Sequence, residues 1–587
     1  MNKVAFPPRS ASELVSLLEH LLGVFSAAEI ALALLVLVLS LTVPQLGARV
    51  FESFERRLGS LAHHPGRQLI AVGMMAVAVR ALMLPWLGVP EPLVHDETSI
   101  LLQAQTFAAG RLANPTHPFW QHFETIYVNQ LPSYASMYFP GRGAPLAAGL
   151  VVANSAWLGV WMSMVLLCMG ATWMLQGWVS LPMALLGGML VALRLGMFSF
   201  WINSYYGGAF IALGAMLVIG ALPRILDQRR WRFGLVMGLG AVILMTSRPY
   251  EGALLCAPVA VVMLAGLYRQ RRQEGDWQIA KAAFSALLLV GAGAAFLLQY
   301  NVATTGNALK TPYELNRATY AAAPAFLTAA PLASLKQGPA HFQKYFSIEA
   351  QGYQARYSPL QLLRSVLAKL FYSWNFYIGA ILSTAFFCGL WACRRDAFLW
   401  GGSAFFFVGY FLETWNFPQY TAPVYPLLLI FMMRGFDWLR RPQGRRQPMR
   451  LFLSRAMPLA SVAVLALPVT SYILGWTSLH GNSIQAVCCT EPYDTVRPAL
   501  RKQLLGSPGP DLVLVKNTMR NPTEYELVNN EPDIDRAPIV WAHRLGPAQD
   551  ERLQAYFADR RVWEFEWLPD TEPGYRLTLL RDRRSAP

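Results

Sequence analysis

Apolar residues fall in long blocks along most of the chain, and short polar segments separate the blocks. About twelve blocks approach the roughly 20 residues that a helix needs to cross a bilayer. They span 27–46, 68–89, 156–176, 182–200, 207–222, 233–247, 253–267, 281–299, 370–392, 397–412, 419–435 and 456–475. The pattern predicts an all-α polytopic membrane domain over residues 27–476. Residues 144–155 suit a re-entrant helix.

The two ends of the chain have different patterns. Residues 12–25 alternate as an amphipathic helix lying on a membrane surface would, so 1–26 is predicted to be an N-terminal amphipathic segment. Beyond the last block, charge rises and short apolar runs alternate with polar turns. Strands are predicted at 511–516, 539–541 and 562–567, with a helix at 549–558. Residues 477–587 therefore read as a small soluble α/β domain.

The net charge of +15 would suit a nucleic-acid-binding protein, but the distribution of the charge argues against one. Lys and Arg gather in short loops between apolar blocks, as expected on the cytoplasmic side of a membrane protein. These loops are 49–67, 223–232, 268–281 and 434–455, with Arg394 and Arg395 in another turn. The opposite side then receives outer loops 90–155 and 300–369 and everything after residue 476. No nucleic-acid partner is predicted.

The six cysteines do not predict a disulfide framework or a zinc site. Four of them lie in or beside apolar blocks. Cys488 and Cys489 are adjacent and have no third cysteine near them in the C-terminal region.

Loop 90–155 opens with an acidic pair, Asp96 and Glu97, just beyond an apolar block. Adjacent carboxylates at a membrane boundary are costly unless they meet water, a metal or a substrate. The loop is rich in aromatic residues, Pro and Gly, which predicts a folded wall of an active site and not a disordered linker. The pair is a candidate general base or metal ligand; the alternative is a solvated charge pair at a helix N-terminus. Further polar groups in the loop are His117, His122 and Glu124.

Two short outer turns add candidate binding residues. The turn NSYYGG at 203–208 presents Tyr205 and Tyr206 before two glycines, which permit close backbone approach. The alternative is an interfacial aromatic belt. The turn SRPYEG at 247–252 holds three further candidates, Arg248, Tyr250 and Glu251. An arginine there suits a phosphate; the alternative is an Arg–Glu pair that joins two helix ends.

Arg80 and Arg194 lie inside apolar blocks, toward their outer halves in this topology. An arginine within a membrane span is a candidate site residue, although snorkelling to the headgroups is the alternative. Together with Arg248, the two favour an anionic lipid headgroup. The three guanidinium groups are expected to project into one outer cavity.

The order of these elements resembles the GT-C superfamily of polyprenyl-phosphate-sugar-dependent glycosyltransferases. The nearest groups are the family 39 and protein O-mannosyltransferase-like enzymes and the aminoarabinose transferases of lipid A. The likeness rests on the loop HDETSILLQAQTFAAGRLANPTHPFW, the two turns above and the tail PDIDRAPIVWAHRL, and it covers nearly the whole chain. Two features depart from the pattern. The second outer acid of many relatives has only Glu251 or Glu124 as candidates, and block 27–46 precedes the usual first span.

The resemblance implies a multi-pass protein of the bacterial cytoplasmic (inner) membrane, with its active site and C-terminal domain outside the cytoplasm. The donor would be a sugar on a polyprenyl phosphate, and the acceptor a hydroxyl of a lipid, glycan or protein. Asp96 would be the base of an inverting transfer, with Glu97 beside it, and Arg248 with Arg194 or Arg80 would stabilise the departing phosphate. The cofactor stays undetermined: Asp96, Glu97 and a histidine would suit a divalent metal, but no step requires one.

Two other classes of function remain open. A transporter or flippase for a lipid-linked saccharide would use the same intramembrane arginines. Against it, the chain has no evident inverted repeat, and its polar residues gather on one face instead of near the midplane. A scaffold that recruits partners through its outer domain is the third class. Neither a transporter nor a scaffold has a need for the acidic pair.

Overall fold

A computed structural model describes residues 24–92, 94–270, 277–330, 339–442, 444–473, 496–516, 526–568 and 570–582. The amphipathic helix predicted at 12–25 lies almost wholly outside these ranges. Cys488 and Cys489 also lie outside them.

Every predicted apolar block contains a helix. In chain order the helices of the bundle are α1 Val24–Thr42, α2 Ala48–Ala62, α3 Pro65–Leu87, α4 His95–Ala108, α5 Ala144–Ala153, α6 Ala156–Leu175, α7 Leu181–Gly196, α8 Gly208–Leu226, α9 Phe233–Ser247, α10 Pro249–Gln270, α11 Gln278–Thr305, α12 Pro312–Tyr320, α13 Ala340–Ala355, α14 Pro359–Tyr377, α15 Gly379–Ala392, α16 Ala397–Phe411, α17 Tyr425–Arg440 and α18 Gln447–Ile473. In the described ranges, six helices are long and apolar enough to cross a membrane, or seven if one bent pair counts as a span. Several apolar helices, α5 among them, are shorter.

Two parts of the bundle differ from the predicted pattern. Block 370–392 is not one helix, because α14 and α15 meet at an angle of 100°. Gly379 begins α15 with φ +69°, and a Cβ there would collide with the side chains of Glu29 and Arg194. The predicted loop 49–67 contains the amphipathic helix α2, in which Glu55 accepts hydrogen bonds from Arg440 and Arg455.

The predicted outer segments fold together at one end of the bundle. After α4, a three-stranded antiparallel sheet forms in the order β1 Asn114–Pro115, β3 Ser133–Ser136 and β2 Val128–Asn129. The Asn129 amide donates to the Pro312 carbonyl at 2.9 Å, and the Ser133 hydroxyl donates to the Thr304 carbonyl at 2.8 Å. These bonds join loop 90–155 to the end of α11 and the start of α12. Loop 300–369 is mostly helical, since α11, α12, α13 and α14 occupy much of it.

The C-terminal region forms a four-stranded sheet with two helices, α19 Val496–Leu505 and α20 Pro547–Tyr556. The strands are β4 Asp511–Val515, β5 Ile539–His543, β6 Arg561–Trp567 and β7 Tyr575–Arg581, in the order β5-β4-β6-β7. Strand β4 runs parallel to β5 and β6, and β7 is antiparallel to β6. The three predicted strands and the predicted helix are confirmed, whereas β7, a largely exposed edge strand, was not predicted.

The C-terminal sheet shares a hydrophobic core with loop 90–155. Leu102 of α4 packs in one buried cluster with Phe123, Val128 and Tyr134 of the loop. Residues of β4, β5, β6 and α20 complete that cluster. The loop is therefore packed between the bundle and the C-terminal sheet.

Candidate active site

The acidic pair lies in the first turn of α4 and separates into two environments. Helix N-termini favour carboxylates, which explains why both fit there. Glu97 is buried: it accepts the backbone N–H of Tyr205 at 2.9 Å and that of Val94 at 3.4 Å. Asp96 is only partly buried and accepts a hydrogen bond from the Tyr138 hydroxyl. Successive residues diverge by about 100° around a helix, so Glu97 faces the protein and Asp96 faces the site.

Four tyrosine hydroxyls lie within electrostatic reach of the Asp96 carboxylate: those of Tyr127, Tyr138, Tyr206 and Tyr345. Burial raises the pKa of all four hydroxyls, and the charge of Asp96 adds to the shift in each. The hydroxyls of Tyr127 and Tyr345 lie 2.6 Å apart, which joins α13 to loop 90–155. A partly exposed carboxylate near several tyrosine side chains suits the binding of a sugar or another polar ring.

Arg142 lies beside Tyr138 and Tyr206, in the turn Phe139-Pro140-Gly141-Arg142-Gly143. The turn presses against the end of α9, since a Cβ at Gly141 would lie 2.6 Å from Thr246 Oγ1. Arg142 is 2% exposed, its Nη2 donates to the Tyr206 carbonyl at 3.0 Å, and its guanidinium stacks 4.6 Å from the centre of the Tyr138 ring. Its Nε has no hydrogen-bond partner in the described part of the chain.

Arg248 caps the end of α9 and brings a second guanidinium to the site. Its Nη1 lies 2.9 Å from Glu251 Oε1, and its guanidinium stacks 3.6 Å from the centre of the Tyr420 ring. Burial lowers the pKa of Arg142, and the charge of Arg248 lowers it further. Two buried cations within electrostatic reach of each other are costly without an anion. Glu251 pairs with Arg248, whereas Arg142 has no ion-pair partner within the described ranges, and Asp96 is the carboxylate whose charge acts on it.

Sequence reasoning did not single out Arg142 or Glu413 as site residues. The signal for Arg142 was an arginine between two glycines directly before an apolar helix. Glu413 is 5% exposed, and its carboxyl interacts with Glu251 and Arg248. Burial, and then the charge of Glu251, raise the pKa of Glu413 well above its usual range. Its signal was an acid at the outer end of an apolar helix.

Arg80 and Arg194 have partners that differ from those of Arg248. Arg80 is fully buried: it donates to the Gly88 carbonyl at 2.9 Å and to Asn203 Oδ1 at 3.1 Å. Arg194 pairs with Glu29 of α1 at 3.1 Å and donates to the Phe376 carbonyl at 2.9 Å. Each of the three arginines therefore has its own set of partners, and a cavity common to all three stays a prediction. The groups that bind Arg194 come from distant helices, which no local pattern marks.

The other predicted turn residues have mixed roles. Tyr206 lies at the site through its contact with Arg142. The Tyr205 hydroxyl donates to the Pro90 carbonyl at 2.7 Å, and its backbone holds Glu97, so Tyr205 supports the acidic turn. The Tyr250 hydroxyl donates to the Gly409 carbonyl at 3.0 Å. Glu251 is the ion-pair partner of Arg248, as in the alternative interpretation.

His117, His122 and Glu124 lie at the junction with the C-terminal sheet instead of beside Asp96. His117 Nε2 lies 3.0 Å from Asp535 Oδ1, and His122 Nδ1 lies 2.8 Å from the carbonyl oxygen of His543. The Glu124 carboxylate accepts the Tyr320 hydroxyl at 3.0 Å. Burial raises the pKa of Glu124 and lowers that of His122.

The structure gives no metal centre around the acidic pair. Within the described ranges, no group of three or more His, Cys, Asp or Glu side chains is arranged to hold a metal ion.

No model of a known protein family matches the chain, and no curated protein matches it. Among solved structures, the chain is similar to the oligosaccharyltransferase of Archaeoglobus fulgidus tethered to an acceptor peptide, with 10% identity over 88% of this chain and 70% of that one and a TM-score of 0.44. It is similar to AglB of the same organism in complex with an inhibitory peptide and a dolichol-phosphate, with 10% identity, 89% and 75% coverage and a TM-score of 0.42. It is also similar to ArnT from Cupriavidus metallidurans bound to undecaprenyl phosphate, with 13% identity, 86% and 93% coverage and a TM-score of 0.41.

Proposed function

We propose that the chain is an integral-membrane glycosyltransferase that moves a sugar from a polyprenyl phosphate to an acceptor hydroxyl. The observation that carries the proposal is the chain of contacts from a partly exposed carboxylate to a buried arginine, with a second arginine within electrostatic reach. Asp96 accepts from Tyr138, Arg142 stacks on Tyr138, and the charge of Arg248 acts on Arg142. The carboxylate suits the role of proton acceptor, and the arginines suit an anion. A sugar transfer from a phosphate requires both.

Asp96 acts as the general base in this reaction. Its carboxylate takes the proton of the acceptor hydroxyl while the acceptor oxygen forms a bond to the anomeric carbon. Attack from the face opposite the phosphate inverts the configuration at that carbon. Catalysis by a positioned base contributes about 10²–10⁴-fold. Glu97 supports the turn, because both its oxygens are engaged by backbone N–H groups.

Arg142 and Arg248 bind the phosphate of the donor. As the bond between the anomeric carbon and the phosphate oxygen breaks, its electron pair stays on that oxygen. Buried guanidinium groups stabilise the developing charge without reorganising, because their positions are fixed beforehand. This assignment places Arg142 where the sequence suggested Arg194 or Arg80.

The proposal includes an orientation for the active site. Arg440 and Arg455 lie at the end of the bundle that holds the arginine-rich loops, and they bind Glu55 of α2 there. Asp96 lies at the opposite end. The positive-inside rule assigns the arginine-rich end to the cytoplasm, so the reaction would take place on the outer face of a bacterial inner membrane. Cysteine labelling of intact spheroplasts at Ser507 and Gln443 tests this: outside reagent should reach Ser507, and labelling of Gln443 alone would reverse the orientation.

The test of activity is an assay of purified protein with radiolabelled polyprenyl-phosphate sugars and an envelope extract as the source of acceptors. Transfer by the wild-type chain is expected, and Asp96→Asn should lower it by about 10²-fold or more. Glu97→Gln should cost less activity and more stability. Glu314→Gln, at an exposed position of α12, is the matched control and should transfer normally.

Each outcome of this assay bears on the assignment. Normal transfer by Asp96→Asn, with loss only in Glu97→Gln, would show that the roles within the acidic pair are reversed. Normal transfer by both variants would remove the acidic turn from the mechanism. Uptake of an intact lipid-linked sugar into vesicles without transfer would favour a transporter.

A further inference from the structure

Tyr138 is held more firmly than a residue that only fills space. Its carbonyl oxygen accepts the Gln103 side-chain amide at 2.7 Å and the Tyr300 hydroxyl at 3.1 Å. Its backbone N–H donates to Ser136 Oγ at 3.2 Å. The side chain is 6% exposed, and its hydroxyl reaches Asp96. Three hydrogen bonds therefore hold the Tyr138 backbone in place, and the Tyr138 hydroxyl contacts the partly exposed Asp96 carboxylate.

We propose that Tyr138 is a positioning residue that orients the Asp96 carboxylate, and that Arg142 links this orientation to the anion site. The inference rests on the proposed function, in which Asp96 is the base and Arg142 contacts the donor phosphate. It gives the Tyr138 hydroxyl a role, although the sequence motifs did not mark Tyr138 as a site residue.

The geometry of the carboxylate supports this role. Tyr138 occupies Oδ1 of Asp96, which leaves Oδ2 to face the acceptor. A carboxylate at the first turn of a helix rotates about its side-chain bonds unless a neighbour holds it. A base must lie within hydrogen-bond reach of the proton that it takes, and small misplacements of reacting groups are costly.

Arg142 acts on the same ring from its face. Its guanidinium lies 4.6 Å from the ring centre, within the range of a cation–π interaction. The other contacts of Arg142 lead to Tyr206 and, through its charge, to Arg248. Anion binding at Arg142 thus reaches Asp96 through one aromatic ring and one hydrogen bond.

The kinetic experiment compares two tyrosines that each lose a buried hydroxyl. Tyr138→Phe removes the donor to Asp96. Tyr300→Phe removes a hydroxyl that bonds the Tyr138 backbone but is not in contact with Asp96 in the described structure. In Y138F, kcat should fall by about 10-fold or more while KM for donor and acceptor stays within about twofold, because orientation is lost and binding is not. Y300F should keep kcat within about threefold, because the Tyr138 carbonyl still accepts the Gln103 side-chain amide.

A second readout does not depend on transfer. Asp96 is labelled with a water-soluble carbodiimide, and the rate is measured by mass spectrometry. Removing the hydroxyl that occupies Oδ1 of Asp96 should speed labelling in Y138F but not in Y300F. Undecaprenyl phosphate should change the rate in the wild-type chain, and polyprenol without phosphate should not.

The outcomes separate this inference from the proposed function. An absence of transfer by the wild-type chain, with faster labelling in Y138F, would overturn the enzyme assignment and leave the positioning contact supported. Equal labelling rates in Y138F and the wild type would overturn the positioning role whatever the activity. So would an equal loss of kcat in Y300F and Y138F, since a general loosening of the strand would then explain both.

Discussion

Loop 90–155 contributes polar side chains to two regions, and the two regions differ in how their polar groups are paired. Toward the bundle it contributes Asp96 and Arg142 to the candidate site. Toward the C-terminal sheet it contributes His117 and His122 to an interface. At the interface the imidazoles meet Asp535 and the carbonyl oxygen of His543. At the site, Nε of Arg142 and of Arg248 has no hydrogen-bond partner in the part of the chain that the structure describes.

The difference between the two regions indicates which polar groups in such a loop mark a binding site. Histidines and carboxylates in a pattern suggest chemistry, but their partners decide what they do. The partners of His117 and His122 lie 418 and 421 residues away in sequence. Buried cations that the fold leaves without a carboxylate are the better indicator, because burial without an anion is costly.

Replacing the two arginines of the candidate site should have the largest effect. Arg142→Ala and Arg248→Ala should each lower transfer by about 10²–10³-fold, the usual cost of removing one preorganised donor from a developing charge. Arg248→Lys should also be impaired, because a lysine does not reproduce the fork of a guanidinium. The measurements are kcat/KM and the affinity for undecaprenyl phosphate.

An arginine outside the candidate site provides the control. Arg194 is buried and pairs with Glu29. Arg194→Gln should leave the affinity of the folded protein for undecaprenyl phosphate nearly unchanged. It should cost about 3–5 kcal/mol of stability, since Glu29 would be left buried without its partner. A specific loss of lipid-phosphate affinity in Arg194→Gln would restore the common site that the sequence suggested.

The sequence predicts most of the helical architecture because each span must bury or expose an apolar stretch of fixed length. Short apolar runs between polar turns likewise predict β4, β5 and β6. What it misses depends on single backbone positions, such as Gly379, whose left-handed φ of +69° lets α14 and α15 meet at 100°. Edge strand β7 is missed because its exposed side chains show no regular alternation of burial.

The candidate site is predicted only in part, for a related reason. Asp96 is found because its position at a membrane boundary is costly in itself. Arg80 and Arg194 share that cost, and the fold meets it with Asn203 and Glu29, which sequence spacing does not reveal. Arg142 was passed over because a Pro-Gly-Arg-Gly turn reads as a loop until the close packing against Thr246 is seen.

The interface should respond to loss of His543 through stability more than through chemistry. His543 is fully buried, and its Nε2 lies 2.8 Å from the Glu124 carbonyl. His543→Ala should cost about 1–3 kcal/mol, the range for a buried polar group left unsatisfied. Faster hydrogen exchange in β1, β2 and β3 is expected, with a smaller loss of kcat than in Arg142→Ala. His63→Ala, at an exposed position, is the control. Unchanged exchange in the strands would show that the sheet does not brace the loop.

The interface should also weaken in acid. Burial lowers the pKa of His122 below its usual 6.5, although the bond to the His543 carbonyl opposes the shift. The unfolded chain then binds more protons than the folded one, so stability rises with pH. The contribution is present above pH 6.5 and is lost as pH falls through the folded pKa. Hydrogen exchange at the interface should therefore accelerate as pH falls below 6.5. His122→Asn, which keeps a donor but does not titrate, should flatten that dependence; an unchanged slope would assign it to another group.

The smallest effect is expected at the rim of the interface. Asp535 is 49% exposed, accepts the Tyr556 hydroxyl at 3.1 Å and lies 3.0 Å from His117. Ion pairs that reach solvent are worth about 1 kcal/mol or less, because water competes and salt screens them. Asp535→Asn keeps an acceptor for both neighbours, so it should change the free energy of unfolding by less than His543→Ala does. Denaturant unfolding of both variants at low and high salt measures this. An equal loss in both would mean that the rim pair, and not the shared apolar core around Leu102 and Phe123, joins the sheet to the loop.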